Sequence, residues 1–194
     1  MRSLRAALAA SLAALALLAG CSDDDPSPGD PGSTSTPTGN PETPTSSATA
    51  KPTEPALPDA ATKATEAGAR AFITYYWDLI NYAQVTGDVK ALKRVSGPNC
   101  DRCQAGIRGI NAVYSAGGHL TNADYRATVL SLKEVHSVSG NAYAFESRTD
   151  VSNAAHVSVD ADGKEESFRA STLTYLLYAI WIDDHWRLDV MERA

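Results

Sequence analysis

Cys100 and Cys103 are separated by two residues, a spacing open to three kinds of chemistry. The pair can close a short disulfide, act as a redox-active dithiol, or supply half of a zinc site. A zinc site needs two further ligands, and the sequence has no second CxxC and no HxxH. No metal and no cofactor is therefore expected. A dithiol at the start of a helix would have a lowered thiol pKa, and Arg102 lies between the two cysteines. Against this, no thioredoxin-like βαβ pattern surrounds them. A structural disulfide is the simpler expectation; its tiny loop limits the chain-entropy gain to about 2 kcal/mol.

Other groups able to do chemistry are scattered. The four histidines are His119, His136, His156 and His185. His136 shares a strand face with Leu132 and Glu134 and is a candidate to point inward. Asp78, Glu146 and Asp150 are candidate carboxylates, but general acid–base work needs two groups with separated pKa values in one pocket. Tyr75, Tyr76 and Trp77 are consecutive and cover nearly 200° of a helix. They cannot all be buried on one narrow stripe, so at least one is expected to line a pocket or a contact surface. The candidate pocket set is thus Tyr75, Tyr76, Trp77, Asp78, His136 and Trp181. No nucleophile elbow, phosphate-binding loop or zincin motif occurs, so no catalytic residue is assigned.

The elements that must position these groups occupy only part of the chain. Of 194 residues, the first aromatic is Phe72, and nine of the ten prolines fall between Pro26 and Pro58. Residues 1–20 begin with Arg2 and Arg5 and continue with an apolar run, Ala6 to Ala19, that is too short to span a bilayer comfortably. The run ends in Leu18-Ala19-Gly20-Cys21, which resembles the bacterial lipobox. This predicts a cleaved signal peptide over 1–20 and a lipid-bearing Cys21 held at the extracytoplasmic face of the cell membrane. Two or more acyl chains anchor stably, at ~0.8 kcal/mol per buried CH₂. Residues 21–58 read as a disordered Pro/Thr/Ser-rich stalk, too poor in apolar bulk to collapse. Residues 59–194 carry the core. They hold 17 acidic and 14 basic side chains with no basic stripe, which argues against nucleic acid as a partner.

Within 59–194 the period is first helical and then alternating. Apolar residues at spacings of three and four predict helices over about 60–85, 88–95 and 101–115. Alternation predicts strands over 126–139, 141–151, 155–159, 167–182 and 185–191, with a hairpin turn at Asp160-Ala161-Asp162-Gly163. Thr128, Leu130 and Leu132 are placed on one face, and Ala127, Val129 and Val135 on the other. Trp186, Leu188 and Val190 are placed together. The fold class is α+β, with N-terminal helices packed on one face of a curved antiparallel sheet.

Three helices followed by about five strands, ending in the hairpin Ala179-Ile180-Trp181-Ile182-Asp183-Asp184-His185-Trp186-Arg187-Leu188, resemble the NTF2-like cone. More narrowly, 59–194 resembles actinobacterial lipoproteins of domain-of-unknown-function family 6318. The matching pieces are Gly68-Ala69-Arg70-Ala71-Phe72, Tyr75-Tyr76, Thr86-Gly87-Asp88, Cys100-Asp101-Arg102-Cys103 and Gly117-Gly118. The resemblance implies a cone whose first helix lines a cavity, and it carries no established activity. NTF2-like sheets often pair through an exposed face, so it also admits a homodimer. The expected function is a non-enzymatic binding module displayed on the stalk, taking an envelope protein or a small apolar ligand. The alternatives are a cone enzyme of isomerase or hydratase type, using Asp78 or a strand carboxylate as base, and a thiol–disulfide module at Cys100 and Cys103.

Overall fold

A computed structural model describes residues 52–121, 123–136 and 143–194. Cys21 and the leader lie outside the described residues, as do the ends of the two expected strands that meet at 137–142. No helix among the described residues is long and apolar enough to cross a membrane.

A 3-10 turn, Asp59–Thr62, precedes helix α1, Glu66–Thr86. The helix begins later than the apolar period suggests because Lys63 is extended and Thr65 forms the cap. Thr65 Oγ1 accepts from Gly68 N at 3.0 Å, and Glu66 stands in the first turn. Gly87 ends α1 in the left-handed region, φ +73°, with its N–H on Ala83 O. A Cβ there would also lie 2.5 Å from the Tyr114 ring, so glycine answers both a backbone and a packing demand. Helices α2, Lys90–Val95, and α3, Asp101–Ser115, follow.

The strands form two antiparallel sheets rather than one. β1 (His119–Leu120), β4 (His156–Val159) and β5 (Glu165–Phe168) make the smaller sheet, in the order β1-β4-β5. β2 (Arg126–His136), β3 (Tyr143–Asn153), β6 (Ser171–Ile182) and β7 (His185–Arg193) make the larger, in the order β2-β3-β6-β7. The single strand expected over 167–182 is thus two strands in different sheets. Asn153 holds the break: its Nδ2 donates to Arg169 O at 3.2 Å and its Oδ1 accepts from Ser171 Oγ at 2.6 Å. The Asp160 turn is as expected, with Asp160 Oδ1 accepting from the N–H groups of Asp162 and Lys164.

Two irregularities redistribute side chains between the faces of the larger sheet. A bulge at Leu130 places Ala127, Val129 and Leu132 on one face and leaves Leu130 exposed. A second, at Asp189, puts Met191 rather than Val190 beside Leu177 on the helix-covered face. That face carries Phe145, Val151, Leu177, Ala179, Trp186 and Leu188, all buried against α1, α2 and α3. The opposite face of β6, with Leu176, Tyr178 and Ile180, is only half-buried, so β6 is central in pairing but covered on one side.

Residues 52–58, which composition assigns to the stalk, lie alongside the helices without regular structure. Glu54 there accepts from Arg94 at 2.8 Å.

Candidate functional site

Between α1, α3 and the covered face of the larger sheet lies a cavity of about 200 Å³. Helix α1 contributes Tyr76, Trp77, Ile80 and Gln84, a set at helical spacing on one flank of the helix. Opposite are Cys103, Gly106, Ile107 and Ile110 from α3, with Leu92 from α2. Tyr175 and Met191 close it from the sheet, and Tyr125 from the segment leading into β2. Asn81 fixes that segment, with Nδ2 donating to Tyr125 O and Oδ1 accepting from Tyr125 N, both at 2.8 Å. Arg102, exposed at the rim, is the one charged side chain in the lining.

The walls are aromatic. The Trp77 ring lies 5.6 Å from Tyr125, 5.9 Å from Tyr175 and 6.3 Å from Tyr76, in tilted or edge-on geometries. Two buried polar atoms in this lining have no hydrogen-bond partner, Trp77 Nε1 and Gln84 Oε1. Burial raises the Tyr125 pKa, and the Gln84 amide beside it partly offsets that rise. A shallower groove continues outward from Tyr125 and Tyr175 to His156 and Phe168, whose rings stack with centroids 4.9 Å apart.

Burial pushes the Tyr76 hydroxyl up to about 12, and its hydrogen bond with Ser96 Oγ, at 3.0 Å, works weakly the other way. The unfolded chain releases that proton near pH 10. Stability from this group is therefore complete below pH ~10 and is lost as pH rises toward ~12, by roughly 3 kcal/mol in all. Tyr76→Phe should cost about 1 kcal/mol at neutral pH and flatten this alkaline decline. Urea titrations of both proteins at about pH 8 and pH 11 read the difference. Equal alkaline losses in both would remove Tyr76 as its source.

Of the six pocket candidates, the fold brings only Tyr76 and Trp77 into the cavity. Tyr75, Tyr76 and Trp77 are all buried, at 6%, 2% and 5% exposure, although they cannot share one narrow stripe of the helix. The reason is that α1 is covered on several flanks, by the 3-10 turn, α2, β1 and β2, and not along one stripe. Tyr75 faces Glu54 and Arg94 instead of the cavity. Asp78 is exposed, although neighbouring protein raises its pKa by desolvation. His136 is exposed near Glu134, at 3.6 Å. Trp181 is half-buried at the far end of the sheet, edge-on to Trp186 at 5.3 Å.

The strand carboxylates point away from the helices. Glu146 accepts from the Tyr178 hydroxyl, and Asp150 accepts from Thr174 Oγ1 at 2.7 Å, both on the uncovered face of the larger sheet. None of Asp78, Glu146, Asp150 or His136 reaches the cavity, so the acid–base site expected of a cone enzyme is not assembled there. Cys100 and Cys103 are disulfide-bonded, with Cα atoms 5.2 Å apart, and both are buried. They stand at the start of α3, where the bond fixes the first turn; Gln104 Nε2 adds a bond to Gly97 O at 3.0 Å. Gln84, Tyr125 and Tyr175 escaped the sequence reading. Gln84 carries a signal in retrospect: it is seven residues, two helical turns, beyond Trp77.

The stretch 37–192 matches a family of unknown function. The chain belongs to DUF6318. The DUF6318 match begins well before the folded core, so it takes in part of the proline-rich region as well as Glu54. No curated protein matches the chain. Solved structures similar to this DUF6318 member include three proteins of low sequence identity. The intermembrane space region of the chloroplast protein ARC6 shares 15% identity, with 64% of this chain and 95% of that chain covered and a TM-score of 0.42. The Kfla4162 protein from Kribbella flavida shares 13%, with 65% and 89% covered and a TM-score of 0.38. A Xanthomonas campestris protein described as a calcium/calmodulin-dependent protein kinase II association domain shares 12%, with 74% and 94% covered and a TM-score of 0.37.

Proposed function

We propose that this DUF6318 member is a lipid-anchored extracytoplasmic binding module, built on an NTF2-like cone, that takes a small and largely apolar molecule into the cavity beside Trp77. One observation carries the reading: a cavity of about 200 Å³ walled by tyrosine, tryptophan and aliphatic side chains. A dry apolar cavity of roughly 150 Å³ already admits benzene, so this one is of a size for a single ring. Burial of such a ring recovers about 25 cal/mol per Å² of apolar surface. The address rests on the lipobox-like ending at Cys21, which would hold the domain at the cell membrane among envelope proteins. Cone-fold pairing through the half-buried face of β6 would give a homodimer.

Two measurements test the two halves. Palmitate labelling and membrane fractionation should both be lost in Cys21→Ser, and labelling that persists would sink the anchor. Thermal unfolding with benzene, phenol or indole should rise for at least one of them, by about 2.7 kcal/mol of stabilisation at a hundredfold excess over Kd. Unchanged midpoints with all three would remove the binding reading.

A further inference from the structure

The mouth of the cavity carries what its interior lacks. Arg102 is exposed there, the one charge in a lining that is otherwise aromatic, aliphatic and amide. Among the described residues no hydrogen bond or ion pair holds its guanidinium. Arg102 also borders an outer cleft with Asp101 and Glu192, and neither carboxylate bonds it. The backbone beneath the arginine is nevertheless fixed. The Cys100–Cys103 bond closes around Asp101 and Arg102, with Cα atoms 5.2 Å apart, and Cys103 is itself part of the cavity wall. A cation with a free guanidinium is thus anchored at the edge of an apolar chamber.

We propose, resting on the binding reading above, that the cavity takes a small monocarboxylate, its ring inward and its carboxylate outward on Arg102. The ring would lie against Trp77, Tyr125 and Tyr175, whose tilted faces favour aromatic contact. The two carboxylate oxygens match the planar fork of a guanidinium. Because Arg102 is exposed, the head group keeps part of its hydration and avoids the cost of burying a charge. One cation answers one negative charge. A phosphate monoester would bring a second, beside Asp101 and Glu192 in the adjoining cleft. The disulfide then has a role in recognition, since it removes backbone freedom that binding would otherwise have to freeze.

The test is calorimetry of the disulfide-bonded protein with benzene, benzyl alcohol, benzoate and phenyl phosphate at neutral pH and low salt. Benzoate should bind about fivefold more tightly than benzyl alcohol, as expected of an exposed but well-matched ion pair. That advantage should shrink at about 1 M salt, where the screening length is about 3 Å. Arg102→Gln should bring the ratio of the two affinities to about one, and Arg102→Lys should keep part of it, as a charge without the fork. Arg108 borders the outer cleft but not the cavity, so Arg108→Gln should preserve the ratio. Both arginines are exposed, and unfolding curves establish that each variant folds. Benzyl alcohol or benzene binding as tightly as benzoate would overturn the carboxylate preference and leave the apolar binding reading in place. An Arg108→Gln loss equal to that of Arg102→Gln, or phenyl phosphate binding more tightly than benzoate, would also overturn it. No binding by any of the four refutes both the class and the reading beneath it.

Discussion

Replacing Trp186 with alanine should lower the stability of the folded domain by about 3–5 kcal/mol, the range for truncating a large buried aromatic. Trp186 is 2% exposed and joins both layers. Its ring stacks against Phe72 of α1 at 6.3 Å and meets Phe145, Tyr143 and Trp181 of the larger sheet. Its indole N–H donates to Lys63 O at 3.1 Å, across 123 positions of sequence. Alanine would leave a void among aromatic rings and would unpair that carbonyl. Trp186→Phe keeps most of the volume and should recover more than half the loss, the remainder being the hydrogen bond. Chemical denaturation of the three proteins measures it. A loss under about 1 kcal/mol for the alanine variant would mean that the interlayer core does not depend on this ring.

The second large effect falls on the same carbonyl from the other side. A Cβ on Gly68 would stand 2.1 Å from Lys63 O and 2.9 Å from Ala60 O, both of them backbone atoms that cannot swing aside. Gly68→Ala should therefore cost about 2–3 kcal/mol, although alanine is the better helix former by about 1 kcal/mol. The strain displaces Lys63 O from Thr65 N, at 2.9 Å, as well as from the Trp186 indole. Because the two sites share that atom, Gly68→Ala and Trp186→Phe combined should cost less than the sum of the single changes. Strict additivity would show that the carbonyl is not the common element. Gly106→Ala is the contrast: beyond its own helix turn a Cβ there meets nothing within 4 Å, so the helix propensity gain should appear undiminished.

Much of the architecture was legible from residue patterns because local rules and burial agree. The three-and-four spacing located α1 and α3, and the Asp160 turn located the β4–β5 hairpin. Features set by long-range pairing were not legible. The bulges at Leu130 and Asp189 exist only between partnered strands, and each shifts the parity that alternation relies on. The break at Arg169-Ala170 is fixed by Asn153 from another strand, so no local signal marks it. The start of α1 was missed for a similar reason, since the extended Lys63 is held by an indole 123 positions away.

The site was half legible. Consecutive aromatics at 75–77 directed attention to the right helix, and Tyr76 and Trp77 do line the cavity. Their angular spread is accommodated because α1 is covered on several flanks and not on one side alone. Glu146 and Asp150 were read as candidates for a cavity mouth, yet pleat parity alone puts them on the face opposite Ser147 and Thr149, which are buried beneath the helices. Which face the helices would choose is decided by the sum of apolar area on each, and the bulges alter that sum.

Cys103 belongs at once to the disulfide and to the cavity wall. Anything lodged against it would shield that sulfur from an incoming thiolate, which must approach along the S–S axis. Cys100 borders a separate outer cleft with Asn99, Asp101 and Arg102. A filled cavity would therefore steer dithiothreitol toward Cys100, and the identity of the first mixed disulfide would report occupancy with no label on the guest.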